Sequence, residues 1–445
     1  MKIYIETLGC PKNFSDSETA AAILEKAGHE IIEDPGKADA VMINTCGFIE
    51  DAKVESIDRI FDFIREKRKD MILIVSGCLA QRYADSLFEE MPEVDIFTGV
   101  NEYERLPEML EKFKREGRQS ENRPYDPALD SNVSDERRLS GNVSTSYLRI
   151  AEGCDNSCAY CIIPAIRGPY RSRRQENIIR EAEMLAAKGC RELILIAQDT
   201  TAYGKDLYGE YKLAELLRKL CRIEGIRWIR LLYCYEERIT DELIEVMASE
   251  EKICHYIDIP LQHANDRILK AMGRRSTKAS ITGTIAKLRE RIPDICIRTT
   301  LIAGLPGETE EEFDELLDFV GEMRFDRLGA FAYSREEGTR AAEMDGQVDE
   351  KIKQERKDAL MRLQNEISLE KNNEKKGKTL EVITERKEED GTYTGRTRAD
   401  APDIDNEVIF TSRRELQPGE MVQVLITDAF DYDITGMEVN DESAE

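Results

Sequence analysis

Three cysteines stand within eight residues, Cys154-Asp-Asn-Ser-Cys158-Ala-Tyr-Cys161. They follow a strand-like run, Ser146-Tyr-Leu-Arg-Ile-Ala151, and precede a long alternation of apolar and amphipathic segments. This placement constrains the fold more than any other feature. A C-x3-C-x2-C loop at the carboxyl end of a strand puts three thiols where open α/β sheets build their sites. Three thiolates in one loop can hold three irons of a 4Fe-4S cluster, and no nearby fourth Cys or His competes for the last iron. An electron-transfer cluster or a zinc loop is the alternative, although a structural zinc wants a fourth protein ligand.

The alternation after the loop reads as βα repeats. Strands are predicted near 146–151, 193–197, 227–232, 256–260, 295–302 and 327–333, and helices near 175–187, 212–223, 239–249, 276–291 and 308–321. A six-stranded parallel partial barrel, (β/α)6, fits this order, with its site at the carboxyl ends of the strands. Other candidates at that mouth are Gln198-Asp199, Gln262-His263, Arg298-Thr299 and the run from Gly304 to Glu308. Gln198 and Asp199 can bind the ribose or amino-acid end of a nucleotide cofactor. The glycines of Gly304-Leu-Pro-Gly307 can let backbone approach a ligand, or the run is a cap for the next helix. His263 reads as a core or capping histidine. The basic stretch Arg167-Gly-Pro-Tyr-Arg171-Ser-Arg173-Arg174 can bind a carboxylate or contact another domain through bidentate pairs.

The first hundred residues also alternate strand and helix. Strands are expected at Ile3–Ile5, Ala40–Asn44 and Met71–Val75, and helices at 16–27 and 48–67, an open parallel α/β domain over 1–112. Cys10, Cys46 and Cys78 stand just beyond three of these strands. Free cysteines are often small buried hydrophobes, but three at equivalent strand ends favour a site. With three histidines in 445 residues, such a site suits an iron–sulfur cluster first and zinc second. Residues 113–145 are polar and read as a linker that can wrap one domain onto the next, with Arg137-Arg138 a small basic contact or, more simply, a solvated charge pair. A charged amphipathic helix over 348–376 leads to short strands near 379–385, 392–397, 408–411, 421–426 and 433–438, a small β-barrel over 377–440.

Charge narrows the partners. The chain carries 64 Lys and Arg against 90 Asp and Glu, a net charge of -26. Residues 374–438 alone carry 9 basic and 16 acidic side chains. An RNA-binding face is usually basic, so a basic protein fits this surface better than RNA as main substrate. No run is long and apolar enough to span a membrane, and no secretory signal opens the chain. A cytoplasmic location follows as an expectation, with no membrane partner.

With these motifs in place, the chain resembles the radical S-adenosylmethionine methylthiotransferases over nearly its whole length. The resemblance implies a central radical domain over 146–347 and a C-terminal antiparallel TRAM-like barrel. It implies two 4Fe-4S clusters, an auxiliary one on Cys10, Cys46 and Cys78 and a radical-generating one on Cys154, Cys158 and Cys161. S-adenosyl-L-methionine is the implied cofactor, with Tyr160, Gln198, Asp199, Arg298 and Gly304 as candidate contacts. An electron donor such as flavodoxin or ferredoxin is implied too. Leu8-Gly9-Cys10-Pro11-Lys12-Asn13 followed by Asp16-Ser17-Glu18 looks like the branch acting on an aspartyl β-carbon of small-subunit ribosomal protein twelve. The tRNA-adenosine branch usually has Gln and Met where Pro11 and Lys12 stand, and is the alternative.

Overall fold

Ala40–Thr45 and Ile72–Gly77 are buried along their whole length, as central strands of a parallel sheet covered on both faces must be. In the computed structural model, which describes residues 1–122, 137–139 and 143–439, they are β3 and β4 of a six-stranded sheet. The others are β1 (Lys2–Thr7), β2 (Glu30–Ile32), β5 (Ile96–Thr98) and β6 (Gln119–Glu121). All pairings are parallel, in the order β2-β1-β3-β4-β5-β6. Helices α1 (Pro11–Lys26) and α4 (Leu106–Glu116) cover one face, where Leu24, Met42, Ile74 and Met109 share a core. Helices α2 (Glu50–Glu66) and α3 (Cys78–Glu90) cover the other, packing Ile60, Phe63 and Leu87 against Val41, Leu73 and Val75. The sheet continues past the expected boundary at 112. Residues 113–121 finish α4 and add β6, so they belong to the sheet rather than to the linker. Much of the remaining linker lies outside the described residues.

Arg137 corrects one expectation. It is no solvated charge but a buried clamp, paired with Glu18 of α1 and, at 2.7 Å, with Glu181. A connector crossing two domains can bury a guanidinium when each domain offers it a carboxylate. Arg138 pairs with Glu25 at 2.8 Å nearer the surface.

The second sheet holds the six expected strands: β7 (Thr145–Arg149), β10 (Glu192–Ile196), β11 (Trp228–Leu231), β12 (Ile253–Asp258), β13 (Cys296–Ala303) and β14 (Arg327–Ala332). They run parallel in the order β14-β13-β12-β11-β10-β7. Between β7 and β10 the cysteine loop is flanked by a two-stranded ribbon, β8 (Ala151–Glu152) with β9 (Arg171–Ser172), and by α5 (Ile163–Arg167). The helices are α6 (Gln175–Ala187), α7 (Lys205–Tyr208), α8 (Leu213–Leu220), α9 (Asp241–Ser249), α10 (Asp266–Ala271), α11 (Lys278–Arg291) and α12 (Glu310–Met323). Leu193 and Leu195 point into the helix layer, whereas Ile194, Ile196, Trp228, Cys254 and Tyr256 line the opposite face.

Helix α13 (Glu350–Asn373) adds Leu360 and Ile367 to the second core and leads to a closed barrel. Its strands are β15 (Thr379–Lys387), β16 (Tyr393–Thr397), β17 (Val408–Thr411), β18 (Met421–Ala429) and β19 (Ile434–Glu438). The order is β15-β16-β17-β19-β18. One pairing, β17 with β19, is parallel, so the barrel is not wholly antiparallel: β19 turns back antiparallel beside β18 and lies parallel beside β17. Ile383 and Ala401 complete the apolar lining of the second sheet's open face. Arg396 pairs with Glu192 at 2.7 Å and Arg327 with Asp400 at 2.5 Å, while the Tyr256 hydroxyl donates to Asp405 at 2.6 Å. Part of the barrel's negative charge therefore serves to seat it on the second domain.

Candidate active site

Cys10, Cys46 and Cys78 converge because β1, β3 and β4 are neighbours and end together. Thr7 pairs with Asn44, and Thr45 with Gly77. Cys10 caps α1, Cys46 follows β3 directly, and Cys78 opens α3. Asn13 holds the first turn by donating to the carbonyls of Leu8 and Thr45 at 2.8 and 3.1 Å. Its Oδ1 lies 3.9 Å from the Cys10 sulfur and 3.8 Å from the Cys78 sulfur. A Cβ on Gly9 would come within 3.2 Å of the Cys46 sulfur, so the third thiol faces the same turn. At Gly77, φ is +95° and a Cβ would fall 2.4 Å from Asn44 Oδ1. Only glycine fits a left-handed turn packed so closely. Burial pushes the Cys46 thiol up to about 12 and raises Cys78 as well, with Arg167 opposing the rise at Cys78.

The second triad is local. Gly153 has φ +76° and would place a Cβ 2.0 Å from the Pro169 carbonyl oxygen, so loop and return strand touch through glycine. The Cys154 N–H donates to Gly168 O at 3.1 Å, and Ala159 N–H to Met272 O at 2.7 Å. Asn156 points its backbone and side-chain N–H groups at the Cys154 sulfur, each at 3.4 Å. The Tyr235 hydroxyl is 3.4 Å from the Cys158 sulfur, and the Arg274 guanidinium lies over the Tyr235 ring at 4.3 Å. Burial pushes Cys154 up to about 11 and Cys161 up to about 12.

Among the described residues, no three His, Cys, Asp or Glu close around a single-ion position. A zinc ion draws its donors to within about 2.3 Å of one point. A cubane cluster spreads its cysteines over separate irons. Two groups of three thiols without histidine fit clusters of that kind.

One arginine joins the two groups. Arg167, in α5 just after the loop, is 2 % exposed. Its Nη2 donates to Asp16 at 2.9 Å and Asn13 Oδ1 at 3.0 Å, and lies 3.4 Å from the Cys78 sulfur. Its Nη1 reaches Glu152 at 3.2 Å. Arg149 also bridges Asp16 and Glu152. On the other side of the interface, Glu336 receives Arg82 at 2.7 Å and Lys53 at 3.0 Å. The carboxyl ends of the two parallel sheets thus face each other across a buried charge network. Between them lies Lys12, 7 % exposed, its Nζ 3.5 Å above the Tyr233 ring. Tyr233 holds φ +59°, with its N–H donating to Asp258 at 2.9 Å.

Comparison with known proteins agrees with this architecture. Residues 2–99 match the uncharacterized protein family UPF0004, 148–320 the radical SAM superfamily and 377–439 the TRAM domain. The ribosomal protein uS12 methylthiotransferase RimO of Acetivibrio thermocellus is 49 % identical over 449 residues, covering 99 % of each chain. Those of Clostridioides difficile and Pelotomaculum thermopropionicum are 48 % and 50 % identical. The first alignment covers 98 % of both chains, the second 98 % of this chain and 99 % of its relative. The chain belongs to the uS12 methylthiotransferase family. The fold also resembles a radical S-adenosylmethionine methyltransferase, TsrM, from Kitasatospora setae, at TM-score 0.55 and 16 % identity, over 74 % of this chain and 71 % of that one. The cobalamin-dependent S-adenosylmethionine radical enzyme OxsB matches at 0.52 and 13 %, over 81 % of this chain and 56 % of that one.

In this family member the remaining sequence candidates have varied placements. Tyr160 is half-buried beside Cys158 and packs against the cluster of Met272 and Leu305. Gln198 donates to Glu152 at 2.8 Å, and its carbonyl oxygen is buried without a hydrogen-bond partner among the described residues. Asp199 caps the turn at Thr200 and accepts from Thr201 at 2.7 Å, Asn156 at 3.0 Å and Ala202 N–H at 3.1 Å, with Arg238 beside it. Its carboxylate is engaged within the protein. Arg298 pairs with Asp258 at 3.1 Å and with Asp405 of the barrel at 3.3 Å. Gly304 lies under α13, where a Cβ would strike Lys353 at 2.4 Å, and its N–H donates to both oxygens of Glu308 at 3.0 Å. The run to Glu308 is therefore a packed cap. His263 is fully buried, with Nδ1 accepting from Asn265 N–H at 3.0 Å and Nε2 3.5 Å from Glu308. Of the basic stretch, Arg173 pairs with Glu181 at 2.6 Å and Arg171 donates to the Pro169 carbonyl at 2.7 Å. These arginines meet the protein's own groups. Asn156, Tyr235, Arg274 and Glu152 escaped the sequence reading. Only Asn156, lying between two of the cysteines, carried a local signal.

Proposed function

We propose that the protein converts a C–H bond to C–S–CH3 at the β-carbon of an aspartyl residue in small-subunit ribosomal protein twelve. Family membership and the matching radical domain make it a radical S-adenosylmethionine methylthiotransferase acting on that protein. The finer assignment is that Cys154, Cys158 and Cys161 would hold one 4Fe-4S cluster, and Cys10, Cys46 and Cys78 a second, which would supply the sulfur. The observation that supports the pair of sites is Arg167, which starts six residues after one triad and touches a sulfur of the other.

The target carbon is unactivated and offers no handle to a base. When bound, the cluster and S-adenosylmethionine supply the carbon radical that such a C–H bond requires. The protein's own residues supply placement. Gly153 and Gly168, both left-handed, turn the chain so that the loop and its return meet at Cys154 N–H to Gly168 O. Asn156 fixes the Cys154 sulfur, and Tyr235 approaches Cys158. Arg167, Arg149, Asp16 and Glu152 clamp the two sheet ends together, which keeps reacting groups close and excludes water.

A one-electron donor such as flavodoxin or ferredoxin completes the reaction, and the setting is cytoplasmic. No described helix is long and apolar enough to cross a membrane. The acidic barrel supports a protein rather than an RNA as main substrate. The test is anaerobic mass spectrometry of ribosomal protein twelve and, in parallel, unmodified tRNA after reaction with reconstituted enzyme, reductant and S-adenosylmethionine. A methylthio gain on the aspartyl residue alone is expected. A gain on adenosine instead would overturn the substrate.

A further inference from the structure

Lys12 stands apart from the other buried cations at the junction of the two sheets. Arg137, Arg149, Arg167 and Arg173 each meet one or two carboxylates of the chain. Lys12 is as buried as they are, yet among the described residues it has neither a hydrogen-bond acceptor nor an ion-pair partner. Its Nζ lies 3.5 Å from the centre of the Tyr233 ring. Burial opposes its charge, and Cys10, two residues back, favours that charge most, ahead of the carboxylates Glu152 and Asp258. Both are already taken. Glu152 serves Arg149, Arg167 and Gln198, and Asp258 serves Arg298 and the Tyr233 N–H. The Lys12 side chain is buried, yet its Nζ is not among the fully enclosed unpartnered atoms, so the ammonium faces open space with no carboxylate of the described residues paired to it.

Two further observations place the missing anion. Lys12 lies in the first turn of α1, two residues after Cys10. The Tyr233 beneath it is held in a left-handed conformation, φ +59°, that a non-glycine residue rarely adopts. Asp258 accepts the Tyr233 N–H, and the Lys12 Nζ lies over the ring. A cation–π platform of this kind orients an ammonium without neutralising it.

We propose that Lys12 is the substrate-binding residue that pairs with the carboxylate of the target side chain, and so selects an acidic side chain for modification. This rests on the substrate reading given under Proposed function. The ammonium would hold the carboxylate while the neighbouring β-carbon faces the space between the triads. No bond is made or broken at Lys12.

The test compares ribosomal protein twelve with a version in which the target aspartate is replaced by asparagine. Both are offered to wild-type, Lys12→Gln and Lys12→Arg enzyme, with KM and kcat read separately. A charge-assisted pair of this sort is worth about 1.5–3 kcal/mol, so wild-type enzyme should favour aspartate by roughly ten- to a hundredfold, mostly in KM. Lys12→Gln should bring that ratio close to one, and Lys12→Arg should restore part of it. A wild-type ratio near one overturns the proposal without any variant. So does an unchanged ratio in Lys12→Gln. A raised KM for S-adenosylmethionine with the aspartate preference intact would assign the ammonium to the cofactor's carboxylate and overturn it equally. If wild-type enzyme modifies neither protein, the substrate reading itself falls, and the proposal with it.

Discussion

The two cysteine triads reach similar surroundings by opposite routes. Cys154, Cys158 and Cys161 share one loop, and their geometry is set locally by Gly153, Asn156 and the return through Gly168. Cys10, Cys46 and Cys78 come from three separate strand ends. They meet only because β1, β3 and β4 pair in one register. A loop site survives small shifts of the sheet beneath it, whereas a sheet-end site inherits every error of strand pairing. The first triad should therefore be the more fragile to backbone changes, and the second the more fragile to losses within a few residues.

The largest expected effect breaks the link between them. Arg167→Ala leaves Asp16 and Glu152 short of a buried partner, and removing one member of such a pair costs about 3–5 kcal/mol. Chemical denaturation should show that loss. Spectroscopy should show disturbance at both triads, since Arg167 belongs to each. Gly77→Ala separates the sites instead. It forces a side chain into a left-handed turn against Asn44 and Thr45, a strain of about 1–3 kcal/mol. Iron content of the reconstituted protein should fall to that of one cluster, with the loop cluster's spectrum retained. Loss of both clusters would deny that the two triads are independent.

A pH series tests what they share. Burial holds the Cys46, Cys154 and Cys161 thiols protonated at neutral pH, raised to about 12, about 11 and about 12. A ligating thiol must lose its proton. Because these values lie above the loading pH, cluster assembly on the apoprotein should strengthen as pH rises from about 7 to about 9 at both sites. Iron uptake against pH measures this, and weaker uptake at the higher pH would contradict it. The smallest effect is expected from Tyr235→Phe. It removes one hydroxyl beside the Cys158 sulfur, worth about 1 kcal/mol, and should alter the loop cluster's spectrum and leave the other unchanged.

The same contrast explains what the sequence made legible. The loop triad was readable from spacing alone, and the six strands of the second sheet from their apolar runs, because both signals are local. The first triad was readable only as three cysteines at equivalent strand ends. β2, β5 and β6 were missed, being three residues each, too short to show alternation. The parallel pair in the barrel is a matter of topology rather than composition. Arg137 looked solvated because its partners, Glu18 and Glu181, lie far along the chain in two domains. Lys12 served in sequence only as a marker of one branch. That no carboxylate among the described residues pairs with it emerges only when the domains are assembled. Asp199 and Gly304 were singled out for a cofactor by residue type, but in the fold they cap a turn and seat α13.

The central claim is that two facing sites divide one reaction. The most direct test measures two products in the same anaerobic mixture, 5′-deoxyadenosine and methylthio-modified ribosomal protein twelve, with wild-type, Cys158→Ala and Cys46→Ala enzyme. Two divided sites predict that Cys158→Ala makes neither product, and that Cys46→Ala still makes part of the 5′-deoxyadenosine while transferring no sulfur. Full coupled transfer by Cys46→Ala would contradict the claim.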